Sequence, residues 1–274
     1  MKRVVSGLVL VSLLGFAIWS QNPYYFLTLA VIVLALALWE FFQLAKKVGS
    51  NPHQIQGYLA ACAIVYAVTQ NNNPEKIIIP TIVVLLTTMM ITSLFESKTS
   101  EDFAKVLSSV AATLLGVCYV VLLASFLLAV KFTANPYPKS SQLLSLFFLI
   151  IVASDTGAYY VGRNLGKNKL VPLISPGKTI EGSIGGLFGA IMAALVSKYT
   201  FFPQLPLHHV LILAVVMNII SQMGDLFESL LKRGAGAKDA ASIIPGHGGL
   251  LDRLDSVLFN APILYYYFLF LLPN

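Results

Sequence analysis

Charged residues are scarce in this chain of 274 residues, in which only 11% of positions are Asp, Glu, Lys or Arg. Hydrophobic residues make up 57% of the sequence, and the mean hydropathy is +0.79. This composition excludes an ordinary soluble globule, which carries about 25% charged residues. Cysteine is rare as well. Cys62 and Cys118 lie in apolar stretches without metal-ligand spacing, so the sequence offers neither a disulfide framework nor a zinc site.

Long apolar segments fill most of the chain. Segments near the roughly 17–25 residues that cross a bilayer recur along the sequence. We therefore predict an all-α integral membrane protein, a polytopic bundle of about nine transmembrane helices. The predicted spans cover residues 4–20, 24–45, 57–70, 77–95, 106–130, 142–161, 183–202, 209–231 and 256–272. No signal-peptidase site follows the first span, so we expect it to remain as an anchor.

The distribution of positive charge predicts the orientation of these spans. If the spans alternate, fourteen of the 18 Lys and Arg residues fall on the side that holds the N-terminus. Lys and Arg accumulate on the cytoplasmic side of membrane proteins, so the N-terminus is predicted to be cytoplasmic. The net charge of +6 then reflects topology, and no nucleic-acid partner is expected.

The two halves of the chain differ in character. Residues 1–140 hold transmembrane helices that we interpret as a scaffold with possible oligomer contacts. Residues 141–274 form the predicted catalytic region, because the cytoplasmic loops 162–182 and 232–255 hold most of the charged and glycine-rich sequence of this half. Each loop follows a span that contains an acidic residue, and such residues inside a membrane usually serve a function.

In the first half, Glu40 is the one acidic residue well inside an apolar run. We expect it to pair with Lys46 or Lys47 near the end of its helix.

An acidic and basic stripe is predicted along the eighth span. If 221–232 is helical, Ser221, Asp225, Glu228 and Lys232 share one face. The alternative is an ion pair of Asp225 with Lys232 or Arg233 that only supports packing of the bundle.

A second acidic cluster follows a glycine-rich turn. If the chain is helical from 250 onwards, Asp252 and Asp255 share a face and can meet Asp225 between spans eight and nine. Gathered carboxylates favour a hard cation, and Mg²⁺ is the one we expect. His247, within the turn, is either a substrate contact or a structural element of the loop.

The other loop contains the sequence SPGKTIEG at 175–182. It lacks the upstream glycine of a P-loop, but Lys178 beside a helix start would still form an anion site. The alternative is a simple helix cap by Ser175 or Thr179. The glycines that follow indicate close helix packing. They are Gly182, Gly185, Gly186 and Gly189.

Carboxylates for a divalent cation and basic groups for phosphates, together at a membrane surface, indicate phosphoryl or nucleotidyl transfer between a soluble polyphosphate and a lipid. The same residues closely resemble the signature of the phosphatidate cytidylyltransferase (CDP-diacylglycerol synthase) family. Matching positions are Ser229, Lys232-Arg233, Lys238-Asp239, His247-Gly248-Gly249 and Asp252-Arg253-Leu254-Asp255. The segment 154–182 also resembles the family's upstream block.

The resemblance implies the reaction CTP + phosphatidate → CDP-diacylglycerol + pyrophosphate, in a multi-pass enzyme of the inner (cytoplasmic) membrane whose active site faces the cytoplasm. It implies that Asp225 and Asp252 hold Mg²⁺, with a second cation possible, and it leaves a homodimer open. The implied catalytic residues are Asp225, Lys232, Arg233, Lys238, Asp239, His247, Asp252 and Asp255. The implied substrate-binding residues are Asp155, Ser175, Lys178, Thr179, Glu181, Glu228, Ser229 and Arg253.

Two other functions remain open from the sequence. A CTP-dependent lipid kinase, similar to the dolichol kinases, would release CDP instead of pyrophosphate. A transporter or channel would use the intramembrane acidic residues as coordination sites, but it predicts polar residues that continue to the outer face.

Overall fold

Helices dominate the computed structural model of the protein, which describes residues 2–70, 73–133, 139–237 and 249–271. The long helices are α1 (Lys2–Trp19), α2 (Tyr24–Lys47), α3 (Gln54–Gln70), α4 (Glu75–Glu96), α5 (Ser100–Gly116), α6 (Leu123–Thr133), α7 (Lys139–Leu165), α8 (Ile180–Thr200), α9 (Leu207–Gly234) and α10 (Asp255–Phe270). A π-helical turn, Val117–Leu122, joins α5 to α6, and a 3₁₀ turn, Leu251–Arg253, precedes α10.

The length and apolar composition of the helices confirm the predicted helical membrane protein. Within the described ranges, six helical segments are long and apolar enough to cross a membrane. They are Tyr24–Lys47, Glu75–Glu96, Ser100–Thr133, Lys139–Leu165, Ile180–Thr200 and Leu207–Gly234. The other three predicted spans overlap α1, α3 and α10, which are shorter at 18, 17 and 16 residues. The count of nine spans and the orientation of the N-terminus therefore stay predictions.

A small β-hairpin departs from the predicted all-α architecture. Strand β1 (Lys169–Val171) pairs antiparallel with β2 (Ser175–Thr179), with Lys169 opposite Thr179 and Val171 opposite Ser175. The hairpin occupies the loop between α7 and α8. Strands of 3 and 5 residues are too short to produce a readable alternation in the sequence, which is why the prediction missed them.

The hydrophobic core joins the two halves of the chain. One cluster of buried residues packs Phe42 of α2 and Met89 of α4 with Leu251 and Leu258, which lie just before and within α10. All four side chains are fully buried. The N-terminal helices therefore pack directly around the segment that leads into α10.

Helices α7 and α8 approach closely through glycine. A Cβ atom at Gly157 would lie 2.5 Å from the carbonyl oxygen of Gly185, and one at Gly189 would lie 2.4 Å from that of Ala153. Neither backbone can yield at such short distances without moving a helix. A Cβ at any of the four predicted positions would lie within 3.1 Å of an atom of α7, which confirms that these glycines serve helix packing. They are Gly182, Gly185, Gly186 and Gly189.

We predict that Gly189→Ala destabilises the α7–α8 pair by about 1–3 kcal/mol, the usual cost of overpacking a close contact. The measurement is the apparent unfolding temperature of the purified protein in detergent, which should fall. Gly15→Ala is the control, because nothing lies within 4 Å of a Cβ at that position in α1. An unchanged unfolding temperature for Gly189→Ala would show that the helices separate without cost.

Candidate active site

The C-terminal end of α9 presents the predicted acidic and basic stripe. Because α9 is continuous from Leu207 to Gly234, Asp225, Glu228 and Lys232 lie on one face, as the sequence predicted. Glu228 is 1% exposed, whereas the side chain of Asp225 is 40% exposed. The hydroxyl of Ser229 donates to Asp225 Oδ1 over 3.4 Å. The stripe thus runs from an accessible carboxylate to a buried one.

Three carboxylates meet where α9 and α10 cross. Asp225, Glu228 and Asp255 each offer an oxygen, and these oxygens lie within 4.8 Å of one another. The two helices cross so closely that a Cβ at Gly224 would lie 2.5 Å from the carbonyl oxygen of Asp255. The predicted meeting of Asp255 with Asp225 is confirmed. Oxygens at this spacing could hold a metal ion.

Asp252 occupies a different position from the one predicted. It lies in the 3₁₀ turn and α10 begins only at Asp255, so the prediction of one helix from residue 250 was wrong. Its Oδ1 accepts from Lys232 Nζ over 2.5 Å, and its Oδ2 accepts from the Gly249 N–H over 2.8 Å. Burial acts to raise the pKa of Asp252, but hydrogen bonds with Glu228, Lys232 and the Gly249 N–H lower it overall. The group is therefore held as an anion, and its role as a metal ligand stays a prediction.

Two lysines from different elements reach the carboxylates. Lys178 Nζ of β2 lies 2.8 Å from Asp225 Oδ2, and Lys232 Nζ lies 2.6 Å from Glu228 Oε2. Asp225 therefore pairs with the hairpin, and the alternative reading, a pair with Lys232 or Arg233, was wrong. With the bond from Lys232 to Asp252, three carboxyl groups contact two ammonium groups, and Asp255 adds a fourth carboxyl group to the cluster. This excess of negative charge favours a cation.

The hairpin itself lies against the end of α9. Arg233 Nε donates to the carbonyl oxygen of Ile174, between the two strands, over 3.4 Å. Asp155 of α7 is exposed and interacts electrostatically with Asp225 and Lys178. The structure therefore brings the α7–α8 loop to the same place as the carboxylate cluster. The exposed side chain of Arg253 stands on the adjoining 3₁₀ turn.

Two of the predicted substrate-binding side chains accept hydrogen bonds from backbone N–H groups around the hairpin. The Thr179 hydroxyl accepts from the Gly182 N–H over 3.1 Å and caps α8, so the cap alternative is confirmed for Thr179 and not for Ser175. The Glu181 carboxylate accepts from the N–H groups of Lys167 and Asn168 over 3.1 and 3.2 Å. These contacts fix the ends of the hairpin beside Lys178. Substrate contacts by Ser175, Thr179 and Glu181 stay predictions.

Three predicted catalytic residues lie outside the described residues: Lys238, Asp239 and His247.

Two contributions from the N-terminal half were not predicted from the sequence. Tyr119, in the π-helical turn, is 4% exposed, and its ring packs 5.3 Å from that of Phe227, next to Glu228. A π turn has no simple sequence signal, although such turns often occur at functional sites.

The second contribution is Glu40, which bonds to the backbone at Leu250 and Leu251 and not to Lys46 or Lys47, both of which are exposed. The expected pairing was wrong because the charged partners lie in solvent, whereas the backbone donors reach the buried carboxylate.

Comparison with known proteins finds a matching family and several similar enzymes. The profile of the cytidylyltransferase family matches residues 1–271. The chain is 30% identical to the phosphatidate cytidylyltransferase of Haemophilus influenzae over 99% of both chains. It is 29% identical to that of a Synechocystis strain over 99% of this chain and 97% of the relative. Over 43% of this chain and 44% of the relative, it is 45% identical to the phosphatidate cytidylyltransferase of Bacillus subtilis.

We predict that Gly224→Ala forces α9 and α10 apart and disperses the three carboxylates. Stabilisation of the purified protein by millimolar Mg²⁺, measured as a rise in unfolding temperature, should shrink or vanish in this variant. The matched control on the same helix is Gly234→Ala, where a Cβ meets nothing within 4 Å. Full stabilisation of Gly224→Ala by Mg²⁺ would show that cation binding does not need the tight crossing.

Proposed function

Because the chain belongs to the cytidylyltransferase family and is a nucleotidyltransferase, we propose that it transfers the cytidylyl group of CTP to phosphatidate, releasing pyrophosphate and forming CDP-diacylglycerol. The observation that carries the proposal is the cluster of Asp225, Glu228 and Asp255 within reach of two lysines, in a protein built of membrane-spanning helices. Near-full-length similarity to proteins named for this activity supports the choice of substrates.

A divalent cation fits the donor set. Three carboxylate oxygens within 4.8 Å of one another supply the hard ligands that Mg²⁺ prefers. A buried carboxylate such as Glu228 is costly unless a positive charge offsets it. We propose that Asp225, Glu228 and Asp255 hold Mg²⁺, with Asp252 and a second cation as further candidates from the family resemblance. The cation would neutralise charge on the triphosphate and on the departing pyrophosphate.

The chemistry needs little from the protein besides position and charge. A phosphate oxygen of phosphatidate attacks the α-phosphorus of CTP, and the bond from that phosphorus to the β-phosphate oxygen breaks. The attacking monoester is already largely ionised near neutral pH, since its second pKa is about 6, so no general base is required. Lys178 and Lys232, which now pair with carboxylates, are the basic groups at the cluster that would bind the phosphates of the two anionic substrates.

We propose that the site faces the cytoplasm from the inner membrane, because CTP is a cytoplasmic substrate and most Lys and Arg residues fall on the predicted cytoplasmic side. The exposed apolar faces of α4 and α8 fit a surrounding bilayer. Association into a homodimer stays a prediction.

The assay follows cytidine-labelled CTP into lipid, using purified protein, phosphatidate and Mg²⁺ in detergent. We expect label in the organic phase only with phosphatidate, and none after EDTA. Asp225→Asn should lower turnover roughly 100-fold or more, since metal-held charge contributes several kcal/mol. Glu101→Gln, an exposed carboxylate of α5, is the control and should keep wild-type turnover.

The products separate the alternatives. Pyrophosphate with labelled lipid supports cytidylyl transfer. Accumulation of CDP with a lipid alcohol would instead indicate a lipid kinase. No nucleotide turnover by a folded preparation would contradict both and leave a transporter.

The orientation can be tested with single cysteines in a background of Cys62→Ser and Cys118→Ser. In intact cells, a membrane-impermeant thiol reagent should label Gln21→Cys, between α1 and α2, and should not label Gly177→Cys in the hairpin. Position 177 offers open space, and both positions are exposed. Labelling of Gly177→Cys from outside would rule out a cytoplasmic site.

A further inference from the structure

A buried carboxylate connects the N-terminal half of the chain to the candidate active site. Glu40 of α2 is 0% exposed. Its Oε1 accepts from the Leu250 N–H over 2.9 Å, and its Oε2 accepts from the Leu251 N–H over 2.7 Å. The contact spans 210 residues of sequence and uses both oxygens of one side chain.

These bonds offset much of the cost of burying Glu40 in an apolar helix. Hydrogen bonds to an ionised acceptor are stronger than those between neutral groups, and here two converge on one carboxylate. They also satisfy N–H groups at the start of a helical turn, which lack partners within the turn itself. Glu40 therefore completes the 3₁₀ turn Leu251–Arg253, even though it belongs to a distant helix.

The backbone that Glu40 holds leads directly to the carboxylate cluster. Leu251 is fully buried against the cluster that includes Phe42, so its side chain and its N–H are both fixed by α2. The next residue is Asp252, which bonds to Lys232 and to the Gly249 N–H. Three residues later α10 begins with Asp255.

We propose that Glu40 is a positioning residue for the active site. Its carboxylate fixes the backbone at Leu250 and Leu251, so that Asp252 reaches Lys232 and Asp255 meets the carboxylates of α9. Glu40 acts through this backbone and contacts neither substrates nor cation. The proposal rests on the proposed function, in which those carboxylates and lysines bind the cation and the phosphates.

The proposed role depends on the chemistry of a carboxylate. Glutamine has the same shape, but it offers one acceptor oxygen and an amide group that would face a backbone N–H, donor against donor. Glu40→Gln therefore keeps one of the two hydrogen bonds and replaces the other with a contact between the amide NH₂ group and a backbone N–H. The volume of the core does not change. Glu40→Asp keeps both acceptors but is one methylene shorter, so we expect it to restore part of the function.

The control must remove a buried backbone contact in the same half without touching the turn. Thr113 is fully buried, and its hydroxyl accepts from the His53 N–H over 2.8 Å. Thr113→Val keeps the shape and removes that acceptor. It should lower the unfolding temperature and leave turnover at a permissive temperature unchanged.

The first measurement is turnover of CTP and phosphatidate by the full-length variants, well below their unfolding temperatures. We expect kcat of Glu40→Gln to fall roughly 10- to 100-fold, and the Mg²⁺ concentration for half-maximal activity to rise. The kcat of Glu40→Asp should lie between those of Glu40→Gln and the wild type. If Glu40→Gln keeps wild-type kcat, or if Thr113→Val loses as much turnover for the same loss of stability, Glu40 is only a structural residue and the proposal fails.

The second measurement does not depend on activity. Hydrogen exchange of peptides that cover 249–258 should speed up in Glu40→Gln, while peptides from α8 exchange as in wild type. Unchanged exchange at 249–258 would overturn the positioning role even in an active enzyme. If exchange responds as expected but the wild-type protein transfers no cytidylyl group, Glu40 does fix the turn and the proposed function is what fails.

Discussion

The structure depends on holding like charges together at the crossing of α9 and α10. Asp225, Glu228 and Asp255 repel one another when ionised, and Glu228 is buried away from the water that would screen it. Such a cluster keeps its full negative charge only if positive charge is supplied to it. Lys178 and Lys232 supply part of that charge, and a cation would supply the rest. Because the two lysines come from different elements, the site exists only when the hairpin and α9 are both in place.

The close approach of backbones makes this arrangement possible. Gly224 lets the first residue of α10 lie against α9, and glycines let α7 and α8 meet at backbone distance. The α7–α8 pair in turn sets where the hairpin emerges, and the cap at Thr179 and the bonds to Glu181 fix its ends. The position of Lys178 thus follows from packing between helices that carry no charge of their own at the contact.

The sequence predicted those parts of the molecule whose signals are local. Hydropathy located the helices, and helical spacing alone placed Asp225, Glu228 and Lys232 on one face. The sequence could not identify the partner of Asp225, because the spacing of residues along α9 carries no information about Lys178 on the β-hairpin. The 3₁₀ turn escaped prediction for the same reason. Its start is completed by Glu40, a residue that local sequence pairs with Lys46 or Lys47 instead.

The presence of charged or reactive residues in a segment is therefore a poor guide to whether that segment supports the active site of a membrane protein. The N-terminal half has one acidic residue well inside an apolar run, yet that residue, Glu40, and the buried Tyr119 both reach the region around α10. In water a single carboxylate that bonds to two backbone N–H groups would compete with solvent, and its hold on the turn would be weak. In an apolar core that competition is absent, so one acidic residue can fix a segment 210 positions away. An apolar helix can therefore determine the geometry of a highly charged site through one residue, because the carboxylate of Glu40 is buried where water does not screen it.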